Sequence, residues 1–344
     1  MKEPFARNDI KIAVIGGGTG SFTMLSALKR HTRQIAAIVS MADDGGSTGV
    51  LRDELGALPP GDVRQCLVAL SDSPKVRDMF QYRFDSGTFG GHSLGNVLLS
   101  GLERMTGDFT EAVETAGEIL GIEGTVIPAT LDDVRLKMSW DVDGDGTEDK
   151  SVVLHGERVI DVEQFKYDPR QAVLTLTPNA TVNPMAIRAI EDADVVVIAP
   201  GDVYTSLGPL LIIDGVGEAL RKSKAKKIYV SNLVSKHGQT DSFTVSDHAS
   251  EIERLAGGPF LDYVVYNDAV PPKDILARYD AEGGKLSEPD PEALDAAHYT
   301  AVSGNFLGAI ATANKGDSLI TKRSLIRHDT SSIAKVIMRI AKQG

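Results

Sequence analysis

Cysteine is almost absent: Cys66 is the only one in 344 residues. That excludes an intrachain disulfide and any zinc or iron–sulfur site built from several cysteines. Long apolar runs are missing too, and none approaches the roughly 18 residues of a membrane span, so no membrane insertion is expected. Met1–Ile10 mixes charges with few apolar residues and does not read as a secretory leader, which makes the cytoplasm the expected location. Basic residues are the minority, 36 Lys+Arg against 48 Asp+Glu, for a net charge of −12 and a pI near 5.1. Binding to a nucleic-acid polymer needs a basic footprint, so no such partner is expected. A local basic pocket for a small phosphorylated ligand is compatible with this balance. Hydrophobic residues at 42% and charged residues at 24% fit a globular chain and argue against disorder. The length suits one large α/β domain or two smaller ones with a sizeable core.

Glycine, by contrast, is plentiful at 34 residues, and it clusters. The clusters fall at Gly16–Gly20, Gly45–Gly49, Gly87–Gly95, Gly201–Gly208 and Gly215–Gly217. Most of them follow a short apolar run or precede a helical pattern, where an open parallel sheet places its ligand-binding turns. Lys11–Ile15 and Ile35–Val39 read as buried strands, with a helix over Phe22–Arg30 between them and a loop at Asp43–Gly49. Apolar residues at three- and four-residue spacing predict helices in Leu94–Met105 and Phe109–Leu120. Between Thr125 and Thr177 the period changes to two, in Val134–Trp140, Ser151–His155 and Val173–Thr177. This predicts a small antiparallel excursion at about 125–177. Parallel order returns with the strand Val195–Ile198, a helix over Leu210–Lys222, the strand Lys227–Val230, a helix near Val245–Leu255, and the strand Tyr263–Tyr266. The expected fold is α/β: a Rossmann-like, doubly wound, mainly parallel sheet in one domain over 1–344. Asp280–Pro291 is the best linker candidate.

The first turn, Gly16-Gly17-Gly18-Thr19-Gly20-Ser21, lets the backbone approach a phosphate at a helix N-terminus. Ser21 stands where the dinucleotide fingerprint has its third glycine, so the turn signals an anion more than a dinucleotide. Close helix–strand packing is the plainer reading. Asp43-Asp44-Gly45-Gly46-Ser47-Thr48-Gly49 follows the second strand. One of its carboxylates suits a ligand hydroxyl or a magnesium ion while the other fixes the loop, and Ser47 and Thr48 can meet an anion or cap a helix. A tight acidic turn is the alternative. In Gly61-Asp62-Val63-Arg64, Asp62 reads as an ordinary N-cap; Arg64 could face a phosphate or pair with Asp44. Gly90-Gly91-His92-Ser93-Leu94-Gly95-Asn96 offers one imidazole among small residues, for phosphate contact, proton transfer or a purely structural role. Pro200-Gly201-Asp202-Val203-Tyr204-Thr205-Ser206-Leu207-Gly208-Pro209 again places small, hydroxyl and aromatic residues at a strand's carboxyl end. Two tempting motifs are set aside. Asp141–Gly146 resembles the start of a calcium loop but has Val152 where a bidentate Glu is needed. The basic run Arg221–Lys227 lies near a helix C-terminus, where cations belong anyway.

Together these motifs resemble the YvcK gluconeogenesis-factor family, within the group that includes 2-phospho-L-lactate transferase (CofD-like proteins). The matching segments are GGGTG at Gly16–Gly20, DDGGSTG at Asp43–Gly49, GDVRQCL at Gly61–Leu67, GHSLGN at Gly91–Asn96 and PGDVYTSLGP at Pro200–Pro209, with Arg327-His328-Asp329 late in the chain. The resemblance runs from about Lys11 to Asp329. It implies a cytoplasmic protein that binds UDP-sugars such as UDP-N-acetylglucosamine and serves morphogenesis and wall-precursor supply during gluconeogenic growth, with no catalysed reaction firmly attached. It also implies sugar-nucleotide contacts from Tyr279 and Arg327. A Tyr ring can stack on uracil or sugar, and Arg can bridge a diphosphate. The chain departs from the family pattern at Asp202, where Ser is common, at Asp141–Lys150, and after Tyr279.

The leading expectation is therefore a UDP-sugar-binding regulatory protein. Its ligand-binding set is Gly17, Gly18, Thr19, Gly20, Asp43, Asp44, Ser47, Arg64, His92, Asn96, Gly201, Tyr204, Thr205, Ser206, Tyr279 and Arg327, with a segment at about 270–344 closing over the ligand. The alternative is a magnesium-dependent, 2-phospho-L-lactate-transferase-like enzyme using a nucleotide-activated donor, with Mg2+ on Asp43 and Asp44 and with Asp43, Asp44 and His92 as candidate catalytic groups. A nicotinamide-dependent oxidoreductase would rest on Gly16–Gly20 alone, and a ligand-free scaffold would leave the glycine loops unexplained. A homo-oligomer is compatible with the sequence.

Overall fold

The computed structural model describes residues 10–141, 151–281, 284–308 and 326–343. Ten strands are defined among these: β1 Ile12–Gly16, β2 Ile35–Val39, β3 Thr125–Pro128, β4 Arg135–Asp141, β5 Ser151–His155, β6 Val173–Thr177, β7 Val195–Ile198, β8 Lys226–Val230, β9 Tyr263–Asn267 and β10 Thr300–Gly304. Seven of them form a parallel sheet in the order β10-β9-β8-β7-β1-β2-β3, and three form an antiparallel sheet in the order β5-β4-β6. This is the α/β architecture expected.

The central strands are runs of Ile, Val and Ala because both faces of a parallel sheet are covered. Their side chains alternate strictly between two cores. Ile12 and Val14 of β1, Val195 and Val197 of β7, and Ile228 and Val230 of β8 enter one core. Ala13 and Ile15, Val196 and Ile198, and Tyr229 enter the other. Helices Gly18–Leu28, Pro60–Leu70 and Thr330–Lys342 cover the first face. Met24, Leu25 and Leu28 are fully buried there, and each such side chain contributes about 1.5–3 kcal/mol of burial. Helices Pro184–Glu191, Val216–Lys222 and Val245–Leu255 cover the second face, together with the inner side of the antiparallel sheet through Leu136, Met138 and Trp140.

Several expectations need correction. The excursion begins later than residue 125, because β3 pairs parallel with β2 and forms an edge of the main sheet. A helix, Gly46–Leu55, starts inside the predicted Asp43–Gly49 loop. The predicted helix Leu210–Lys222 is broken: a π-helical turn Val203–Leu207 precedes it, the short helix Gly208–Leu211 ends inside it, and helix resumes only at Val216–Lys222. Asp280–Pro291 is not a free linker in its described part: Lys285, Ser287 and Glu288 exchange backbone hydrogen bonds with Ser235, Leu233 and Val245. Nor is Arg221–Lys227 merely solvated, since Arg221 donates to the Ala256 carbonyl at 2.7 Å and Lys227 pairs with Asp262 at 2.9 Å. The calcium-like residues 142–150 lie outside the described residues.

Candidate functional site

Strand order reverses between β1 and β7: the chain leaves β1 toward β2 and β3, and β7 leads away toward β8, β9 and β10. At such a switch point the loops diverge and leave a crevice beyond the strands' carboxyl ends. Gly17, Gly18, Thr19 and Gly20 lie on one side of it, between β1 and the helix Gly18–Leu28. Gly201, Thr205 and Ser206 follow β7 on the other. The two loops touch, since a Cβ at Gly20 would collide with the Pro200 carbonyl. No side chain of the N-cap residue Gly17 caps that helix.

Asp62 fills the space next to Gly17 instead. It is the third residue of the helix Pro60–Leu70, and a Cβ at Gly17 would strike its carboxylate. The Gly18 N–H donates to it, yet its pKa is pushed up to about 7, first by burial and then by the negative field of Asp43. Asp43 is raised as well, chiefly by burial, although the Gly45 N–H donates to it at 2.9 Å and Thr48 also bonds it. Glu157, from the helix Glu157–Val162, is pushed up to about 9 by burial and by the fields of Asp43, Asp161, Asp44 and Asp62. Three carboxyls thus share one poorly solvated space without enough positive charge to neutralise them.

Of the two carboxylates, Asp44 is the one that fixes the loop. Its two oxygens accept the N–H groups of Glu157 and Arg158, at 3.1 and 2.8 Å. It therefore fastens the helix Glu157–Val162, and with it the antiparallel sheet, to the β2 loop. Arg52 locks that loop from behind. It donates to the Asp43 carbonyl at 3.0 Å and the Val134 carbonyl at 2.7 Å, and pairs with Asp133. Ser47 lies half-buried in the first turn of Gly46–Leu55.

Arg64 pairs with neither Asp44 nor open solvent. Its Nε donates to Asn96 Oδ1 at 2.7 Å, joining two of the sequence motifs. Burial and the neighbouring Arg83 lower its pKa to about 10. Close by in the chain, His92 Nδ1 is buried without a hydrogen-bond partner. Tyr204 is not part of a ligand wall: it is 1% exposed, and its ring packs on Phe165 with centroids 5.7 Å apart. Burial, and Glu251 beside the hydroxyl, hold its pKa well above the usual tyrosine range.

At the carboxyl end of β8, Asn232 clamps Gly201 by accepting its N–H at 3.1 Å and donating to its carbonyl at 2.9 Å. His328 reaches the same strand end. Its Nε2 donates to the Ser231 carbonyl at 3.0 Å, and burial lowers its pKa to about 4, so the ring is neutral. Its neighbour Arg327 is exposed, accepts the Gly308 N–H at its carbonyl and has no ion pair among the described residues. Asp329 caps the helix Thr330–Lys342. Tyr279 lies on the helix Lys273–Ala281, but its side chain is outside the described residues.

Residues 12–307 match the family described as 2-phospho-L-lactate transferase CofD. The chain belongs to the CofD family. The gluconeogenesis factor of Bacillus subtilis (strain 168) is 36% identical over 344 residues, covering 97% of this chain and 98% of that protein. That of Listeria innocua is 36% identical over 330 residues, covering 95% and 94%. Two crystal structures of a UPF0052-family protein from Bacillus halodurans superpose with TM-scores of 0.81 and 0.82 at 34% identity, over 96% of this chain and 99% of theirs.

Within this CofD-family fold, the Asp202 departure has a structural answer. Lys236 Nζ donates to Asp202 at 2.8 Å and also pairs with Asp161, which lies 3.5 Å from the Thr205 hydroxyl. Lys236 has its pKa raised: burial lowers it, but the two carboxylates outweigh that. Sequence reasoning missed Lys236, Asp161, Glu157 and Asn232 and took Asp62 for a cap. Only Asp62 carried a signal, its place inside a matched motif.

Proposed function

We propose that this chain is a gluconeogenesis factor that binds a UDP-sugar, of the UDP-N-acetylglucosamine kind, at the β1/β7 switch point and acts as a cytoplasmic regulator of morphogenesis and wall-precursor supply. The observation that carries the reading is the pairing of the Gly17–Gly20 turn with the Gly201–Ser206 loop across that crevice, in a chain similar almost end to end to gluconeogenesis factors. The turn and Arg327 serve the diphosphate, Asn96-braced Arg64 supports the wall opposite, and Tyr279 serves the base or sugar. The test is the dissociation constant of UDP-N-acetylglucosamine. Arg327→Ala should weaken it by more than about 1.5 kcal/mol, the low end for a charge-assisted hydrogen bond. Unchanged affinity in a folded variant removes Arg327 from the site.

A second reading, a magnesium-dependent transferase with a nucleotide-activated donor, is favoured by one observation: Asp43 and Asp62 face each other with raised pKa values. Hard carboxylate oxygens short of positive charge suit Mg2+, which takes one or two carboxylates and completes its shell with phosphates and water. Among the described residues no group of three His, Cys, Asp or Glu could hold a metal, so the ion would depend on ligand phosphates. Asp62 replaces Asp44 in this role, because the Asp44 oxygens are already engaged. The ion would neutralise phosphate charge. Thermal shifts with UDP-sugars, GTP and GDP, each with and without Mg2+, separate the readings. A shift by UDP-sugars alone supports the regulator, and a magnesium-dependent shift by guanine nucleotides supports the transferase.

A further inference from the structure

The helix Gly18–Leu28 runs from the glycine turn to the far end of the sheet, about 16 Å away at 1.5 Å per residue. Arg30 and His31 follow its last turn. Beside it packs the helix Thr330–Lys342, through Ile333, Ala334 and Ile337. On that second helix Lys335, Arg339 and Lys342 are separated by four and three residues, so they share one face, and all three are exposed. Together with His31 they line an open cleft of about 500 Å³ floored by buried Met338. The His31 pKa is lowered, first by burial and then by Lys335, Lys342 and Arg30, so the ring senses three cations at once.

Such a gathering is out of keeping with an acidic chain. Some surface cations elsewhere are matched, Lys29 with Asp72, Arg33 with Glu123 and Lys222 with Glu218. Those left single, such as Lys75 and Lys166, do not line a common cleft with other cations in the way these do. Arg30, Lys335, Arg339 and Lys342 make no ion pair among the described residues. The carboxylate nearest in sequence, Asp329, accepts the Ser331 and Ser332 N–H groups and the Ser332 hydroxyl and feels the charge of Lys335, but makes no ion pair with it. Helix dipoles account for one cation at each helix end. They do not account for Lys335, two turns before the end, or for the hollow that the cations face.

We propose that this cleft is a second ligand site, separate from the switch-point mouth, for a small soluble multivalent anion of the oligophosphate or phosphate-ester class. Lys335, Arg339 and Lys342 supply the positive charge, His31 closes the inner wall, and Met338 provides an apolar floor. The depression is shallow and open, so charge rather than enclosure holds the ligand. A compact anion is the occupant that three cations within about two turns of one helix face can meet together. The site is independent of the reading of the mouth.

The test titrates inorganic tripolyphosphate into the whole chain, in metal-free buffer at about 0.15 M salt. It follows the His31 imidazole resonance, assigned with His31→Gln, so that binding at the mouth does not interfere. A saturable shift of that resonance, with the His31 pKa moving upward as the anion offsets the three cations, supports the site. Lys335→Gln/Arg339→Gln should weaken binding at least about tenfold while leaving the ligand-free melting temperature no lower than wild type. No saturable shift up to about 10 mM anion, or equal affinity in the double variant, overturns the proposal. Wild-type binding to phosphatidylserine vesicles without response to tripolyphosphate also overturns it, in favour of a membrane surface.

Discussion

Asp62→Asn should stabilise the ligand-free protein, and by more at high pH than at low. In the folded chain the Asp62 carboxyl is moved from 3.8 to about 7, by burial first and by Asp43 second; in the unfolded chain it ionises near its ordinary value. Between those two pH values the native state holds a proton that the unfolded state has released. Stability therefore falls as pH rises, by about 1.4 kcal/mol per unit for each such proton. Across the interval Asp62 costs the native state up to about 4 kcal/mol, fully present above pH 7 and absent below pH 4. Asn does not titrate, and its carbonyl can still accept the Gly18 N–H. The stability curves of variant and wild type should meet near pH 4 and diverge upward, the variant leading by a few kcal/mol at pH 8. Asp43 and Glu157 lose a negative neighbour in the variant, and their raised pKa values should relax downward. Urea denaturation at pH 5, 6, 7 and 8 measures the gap. A variant less stable than wild type at pH 8, or a gap that fails to widen from pH 5, would refute the account of the carboxylate cluster. Magnesium at pH 8 should stabilise wild type more than the variant, because the ion replaces the missing positive charge only where both carboxylates stand.

Two further perturbations probe how the mouth is held. Lys236→Met leaves Asp161 and Asp202 without their shared cation; both carboxylates are partly exposed, so a loss of about 1–2 kcal/mol is expected in thermal melts. Lys236→Met/Asp202→Ser should recover part of that loss, and no recovery would mean that Lys236 acts through packing of its stem alone. Asp44→Ala removes the acceptor of the Glu157 and Arg158 N–H groups, at a cost of about 1–2 kcal/mol. Hydrogen exchange should quicken in residues 156–162 and stay unchanged in β1, and uniform exchange across both would rule out a local fastening role.

The parts of the fold visible in sequence are those whose burial is symmetrical. IAVIG, IAAIV and VVVI are apolar throughout because helices cover both faces of the central strands. The strands that escaped notice are at the sheet's edges: TVIP of β3 passes for part of the antiparallel run, and TAVSG of β10 is mostly half-exposed. The helix Gly46–Leu55 hid behind Gly and Ser residues of turn composition. Its order comes from outside its own sequence, from Arg52 tied to Val134 and Asp133, and tertiary contact of that kind overrides local propensity.

The same division runs through the site. Glycine loops announce themselves locally, since the need for close approach is met by the residue itself, as at Gly20 against Pro200. Charge balance does not, because it is struck between distant segments. Asp202 looks repulsive to a phosphate until Lys236 is seen beside it, and Asp43 looks like an isolated loop acid until Asp62 and Glu157 close around it. Asp43, Asp62 and Glu157 together leave the inner mouth short of positive charge: Arg52 hydrogen-bonds carbonyls and Asp133, Arg64 Nε bonds Asn96, and Lys236 pairs with Asp161 and Asp202. The fields of Arg64 on Asp62 and of Arg52 on Asp43 do not offset the burial of those carboxylates. A diphosphate entering such a mouth meets repulsion unless the cluster is protonated or a cation comes with it. Ligand affinity should therefore rise either with falling pH through 7 or with added magnesium, and whichever of the two restores it identifies what the carboxylates are kept for.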